Sequence, residues 1–165
     1  VSTYSVPDKD IIITKIGTFA TGSWIIIDEQ GTKFYFGETT ASREQITSNQ
    51  MVNGVFSSAN QKVYISSWYL TKIQFANHSE PITFAYIQGA PSYQYDYYSA
   101  VGSRDCEDQA GFRNFTRTDT RVIVNTPKYL DYVETPLGKI SFSWSTDRKE
   151  SSMWYLDKVK LWDYN

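Results

Sequence analysis

Apolar and polar residues alternate in short runs along most of the chain. Residues 11–16, 24–27, 33–36, 62–66, 69–75, 82–87, 121–125, 139–144 and 154–162 are rich in β-branched and aromatic side chains, and clusters of Gly, Pro, Asn, Asp and Ser separate them. Such runs predict strands, and nine of them predict an all-β protein. Between two of the runs, Asp28-Glu29-Gln30-Gly31 has the form of a hairpin turn, since a closing Gly supplies the positive φ that the ladder demands. Only residues 40–50 read as helical: Ser42 with Gln45 three positions on resembles a capping box, and Gly54 offers a stop. Residues 89–113 are polar, tyrosine-rich and full of turn formers, which predicts a long excursion between strands.

Two of the strand runs are nearly the same text. Ser66-Ser67-Trp68-Tyr69-Leu70-Thr71-Lys72-Ile73 returns near the end of the chain as Ser151-Ser152-Met153-Trp154-Tyr155-Leu156-Asp157-Lys158-Val159, with one Met inserted. Strict alternation puts Tyr155, Asp157, Val159 and Leu161 on one face, expected to be the core face, and Trp154, Leu156, Lys158, Lys160 and Trp162 on the other. A sandwich of two Greek-key halves would place an equivalent strand at the end of each half. Convergence of aromatic strands on similar text explains the likeness as readily.

The ending ISFSWSTDRKESSMWYLDKVKL, residues 140–161, is similar to the final two strands of galactose-binding-like jelly rolls, a group that includes many carbohydrate-binding modules. The resemblance implies a two-sheet jelly roll that binds ligand on a concave sheet face or in the loops at one end. It also implies a structural calcium site, with Asp157 at the position of a ligand. Together with the periodicity, it gives an expected fold of a two-sheet antiparallel β-sandwich of jelly-roll type, with at most one short helix, in a single domain over residues 1–165.

Composition changes this picture little. A chain of 165 residues can bury a core without metals or disulfides, and 41% hydrophobic with 21% charged residues is typical of a folded globular protein. A net charge of −2 gives no footprint for nucleic acid, and no apolar run approaches the roughly 20 residues of a membrane span. Asn77-His78-Ser79 and Asn114-Phe115-Thr116 match the glycosylation acceptor pattern, which arises often by chance.

Candidate chemistry is sparse. One His and one Cys, His78 and Cys106, cannot make a zinc site, and the acids flanking Cys106 disfavour its thiolate, so nucleophilic catalysis is not expected. No spacing singles out a carboxylate pair. The 13 Tyr are the stronger signal, because a tyrosine offers a flat apolar face and a hydroxyl at low conformational cost. Tyr93, Tyr95, Tyr97 and Tyr98 crowd the expected excursion, and Arg113, Phe115, Arg117, Asp119 and Arg121 alternate so as to share one face of a strand.

From these residues the expectation is a non-catalytic binding module for carbohydrate or another surface ligand, with contacts from Tyr93, Tyr95, Tyr97, Tyr98, Arg113 and Arg117. It would work outside the cell, on a cell surface or on a virion, with no cofactor besides the implied calcium, no nucleic-acid partner and no membrane insertion. The alternative is a structural subunit or appendage of a virion, phage tail or surface assembly, whose aromatics serve self-association.

Overall fold

The computed structural model describes residues 2–6, 10–18, 21–52, 55–56, 61–90, 93–103, 114–124, 126–147 and 154–164; for 2–6, 49–52, 55–56, 93–103 and 114–124 the description is of the backbone. Among the described residues there are fourteen strands. They are β1 (Ser2–Val6), β2 (Ile11–Ile16), β3 (Ser23–Ile27), β4 (Lys33–Phe36), β5 (Arg43–Val52), β6 (Val55–Phe56), β7 (Lys62–Trp68), β8 (Leu70–Gln74), β9 (Ile82–Gln88), β10 (Tyr93–Ser103), β11 (Asn114–Val124), β12 (Lys128–Thr135), β13 (Gly138–Ser145) and β14 (Tyr155–Asp163). Nine form an antiparallel sheet in the order β1-β2-β3-β4-β8-β9-β12-β13-β14. The order β10-β11-β5-β6 forms a second sheet, where β7 also pairs with β5. This is the all-β, two-sheet antiparallel architecture that the alternation predicts.

The larger sheet is a meander with two excursions. The chain leaves it after β4 to make β5, β6 and β7, and again after β9 to make β10 and β11; each time it re-enters beside the strand it left, since β4 pairs with β8 and β9 with β12. The second sheet is built wholly from these excursions. The corner between the sheets is tied by backbone bonds: Gly37 N–H donates to the Tyr69 carbonyl at 2.9 Å, Tyr69 N–H to Ser42 at 2.9 Å, and Gly89 N–H to Pro127 at 2.9 Å. Gly37 is required there, because its φ is +67° and a Cβ would lie 2.4 Å from the Trp68 ring.

The Asp28–Gly31 turn forms as its sequence predicts. The Asp28 carboxylate accepts from the N–H groups of Gln30 and Thr32 at 2.9 and 2.8 Å, and Gly31 takes φ +80°. Residues 40–50 do not form a helix beyond one 3₁₀ turn, Thr40–Ser42, closed by Thr39 N–H donating to Ser42 Oγ at 3.2 Å. From Arg43 onward the chain is strand, because β5 finds ladder partners on both sides, β7 on one and β11 on the other, and Ile46 and Thr47 favour that geometry. The excursion at 89–113 is likewise strand over Tyr93–Ser103; residues 104–113 lie outside the described ones.

Four strands carry one extra residue, and three of these repeat a single text. Against β4, Tyr35 pairs with Lys72 and Phe36 with Leu70, leaving Thr71 over. Against β9, Asp131 of β12 is left over, and against β13, Asp157 of β14. The three sites read Tyr69-Leu70-Thr71-Lys72-Ile73, Tyr129-Leu130-Asp131-Tyr132-Val133 and Tyr155-Leu156-Asp157-Lys158-Val159. The near-duplicate text is thus a bulge motif, and it occurs three times. The bulge also corrects the expected faces: Leu156 and Val159 are opposite Trp144 and Phe142, alternate residues of β13, while Tyr155 and Lys158 are opposite Ser145 and Ser143. The fourth extra residue, Ser66 of β7, lies in the second sheet.

Burial is shallow. An apolar row crosses the large sheet from Ile13 through Ile26, Phe34 and Ile73 to Ile82, each the ladder partner of the next. Two residues along β9 it resumes at Phe84 and continues through Val133 and Ile140 to Leu161. Yet among the described residues no large aliphatic or aromatic side chain is fully buried; the most enclosed side chain is Ser42 at the corner, 1% exposed.

Candidate functional site

Five of the six residues expected to bind ligand lie on the β10-β11 ladder. Tyr93, Tyr95 and Tyr97 pair with Val124, Val122 and Thr120, whereas Tyr98 pairs with Asp119 and Arg117 with Ala100. Directly opposed residues share a face, so the register assigns the first three tyrosines to one face of β10-β11 and Tyr98 and Arg117 to the other. Arg113 lies outside the described residues. Asp157 is the bulge residue of β14, with its carboxylate 3.6 Å from Lys158 Nζ. Among the described residues no group of three or more His, Cys, Asp or Glu could hold a metal ion, and a lone carboxylate beside an ammonium does not fit calcium.

A polar cleft of about 300 Å³ lies at the corner, lined by Arg43, Gln45, Gln88, Thr126 and Lys128 among others. Its cations are engaged: Arg43 Nε donates to the Thr39 carbonyl at 3.1 Å and Lys128 Nζ to Gln88 Oε1 at 3.1 Å. Burial lowers the pKa of Lys128, and the Glu44 charge opposes that effect. Beside the cleft, Glu44 accepts from Tyr69 Oη at 3.2 Å and from Ser66 Oγ at 2.9 Å. Burial first, then the Glu44 charge, pushes the Tyr69 hydroxyl up to about 12.

The apolar margin of the large sheet is the more exposed feature. Leu161 is 77% exposed, Leu137 71%, Val159 56% and Trp162 53%. Val159 and Leu161 therefore lie open rather than in the core expected of them, because among the described residues β14 is the last strand of its sheet and nothing covers its end of the apolar row. Beside them opens a cleft of about 590 Å³ between the β8–β9 and β12–β13 turns, lined by Phe75, His78, Glu80, Ile82, Pro136 and Leu137.

Two of the bulges, those of β8 and β12, are capped by aromatic donors from the next strand over. Tyr86 Oη of β9 donates to the Leu70 carbonyl at 2.7 Å, and its ring centre is 5.1 Å from that of Tyr69. Trp144 Nε1 of β13 donates to the Leu130 carbonyl at 2.8 Å, and its ring is 4.9 Å from Tyr129. The capping strands are themselves near-copies, Ile82-Thr83-Phe84-Ala85-Tyr86 and Ile140-Ser141-Phe142-Ser143-Trp144. Sequence reading missed this pairing because the bulge disrupts strict alternation and hides β12. The signal that could have found it was the spacing of Tyr-Leu-x-x-[Val/Ile] before Ile-x-Phe-x-[Tyr/Trp]. Comparison with protein families, with curated proteins and with solved structures finds no match to the chain.

Proposed function

We propose that the chain is a non-catalytic structural subunit of a surface or particle assembly, and that it works by binding other copies through the apolar face of its large sheet. The observation that carries this reading is the open end of the apolar row at Val159 and Leu161. Contiguous apolar surface of this kind marks sites of protein association. Sedimentation velocity tests it. Wild type should associate at micromolar concentration, and Val159→Lys with Leu161→Lys should sediment as a folded monomer. A wild type that stays monomeric at about 100 µM would overturn the reading.

A second reading is binding of carbohydrate, favoured by one observation: Tyr93, Tyr95 and Tyr97 occupy alternate ladder positions of β10, the last strand of the second sheet. Alternate positions recur about every 6.8 Å, which makes a row suited to stacking along a glycan chain. On a glycan array, Tyr95→Ala and Tyr97→Ala should each lose signal that wild type shows; equal signal in all three would count against it.

A further inference from the structure

We propose that the outer edge of β14 is an acceptor for an antiparallel strand from another polypeptide, reading acidic-Ile-[Ser/Thr]-Phe-[Ala/Ser]-[Tyr/Trp]. This goes beyond the assembly reading and does not depend on it, since it concerns the edge of the sheet rather than its face.

The inference rests on a pattern that is complete twice and half complete once. In the first two copies, a bulged strand carrying Tyr-Leu-x-x-[Val/Ile] is followed in the sheet by a strand carrying Ile-x-Phe-x-[Tyr/Trp]. Ile82 pairs with Ile73 and Ile140 with Val133. At the fifth position of each Ile-x-Phe-x-[Tyr/Trp] segment, the aromatic ring lies on the motif tyrosine and its N–H or O–H donates to the carbonyl of the motif leucine. In the third copy, Tyr155, Leu156 and Val159 hold the same positions on β14, but β14 ends the sheet among the described residues. Leu156 is 46% exposed.

The missing half can be written from the other two. An incoming Ile belongs opposite Val159, and a Trp or Tyr belongs opposite Tyr155 with its donor on the Leu156 carbonyl. The residue before the Ile would face Lys160, whose counterpart in the second copy, Glu134, pairs with Lys139. An acidic residue there restores the opposite-charge pair. Lysines on an edge strand ordinarily discourage such addition. Here Lys158 is already held by Asp157 at 3.6 Å, leaving Lys160 as a selector for an acidic partner.

The test is calorimetric titration of a capped peptide, Glu-Ile-Ser-Phe-Ser-Trp-Ser, into the full chain. Saturable one-to-one binding is expected, weaker by about tenfold when the peptide Trp is replaced by Ala or its Glu by Lys, each a change of about 1.4 kcal/mol. Tyr155→Ala, checked for an unchanged circular dichroism spectrum, should weaken binding by a similar factor. The idea is overturned if the peptide binds no better than its scrambled form, if Tyr155→Ala binds it as wild type does, or if β14 amides of the Leu161→Lys chain become protected with rising protein concentration alone. That last result would put a second copy on the edge. Retained binding by a Leu161→Lys chain, whose substitution disrupts the apolar face but alters no position of the edge motif, separates this proposal from the assembly reading.

Discussion

Tyr69 joins the two sheets through both its backbone and its side chain. Its N–H and carbonyl bind Ser42 and Gly37, and its hydroxyl donates to Glu44 of β5. An unfolded tyrosine ionises near 10, whereas this one holds its proton to about 12, so between those values only the unfolded state sheds the proton. The stabilisation is therefore full below pH 10 and is lost as pH rises toward 12. Urea unfolding from about pH 9 to about pH 11.5 should show stability falling steeply in wild type and less steeply in Tyr69→Phe, where the smaller contributions of Tyr86, raised by burial, and of Tyr155 and Tyr164, raised first by hydrogen bonds to Asp147 and Glu134, remain. Equal slopes would mean that Tyr69 is not the group responsible. The tyrosines expected to bind ligand were legible as a cluster but not as a surface, because whether Tyr97 and Arg117 share a face depends on hairpin register, which the turn sets outside both residues.

At the scale of elements, the sequence revealed strands wherever alternation was unbroken: β2, β3, β4 and β13 lie where the pattern places them. It failed on β12 for a physical reason. The extra residue Asp131 shifts the phase of Lys128–Thr135 by one, so no period of two runs through it. It failed on β5 because local capping signals favoured a helix while two ladders, formed with distant strands, favoured extension. The bulges themselves are stabilised by their aromatic caps. Trp144→Phe and Tyr86→Phe should each cost about 1 kcal/mol in urea unfolding, since each leaves a leucine carbonyl without its donor. A loss below about 0.3 kcal/mol in both would show that water serves those carbonyls equally well.

For the whole molecule, the decisive quantity is how little of the large sheet is sealed. The ladders align Ile13, Ile26, Phe34 and Ile73 in one apolar row, but sequence periodicity cannot say whether a second layer covers it, because both sheets alternate alike. Association through such a face is hydrophobic, so it should strengthen on warming from about 5 to about 25 °C and in ammonium sulfate, and be little affected by moderate sodium chloride. Sedimentation equilibrium under those conditions checks this; dissociation by about 0.5 M sodium chloride would point instead to a charged interface.

The two excursions have a further consequence. Gly37 already touches Tyr69, and Gly89 already touches Pro127, across the mouths of the loops that make the second sheet. The layer they build is in effect a pair of grafts on one ribbon, joined to each other along the β5–β11 ladder. Either graft can lengthen at its tip without re-threading the ribbon beneath, but removing one would strip the other of its ladder partner.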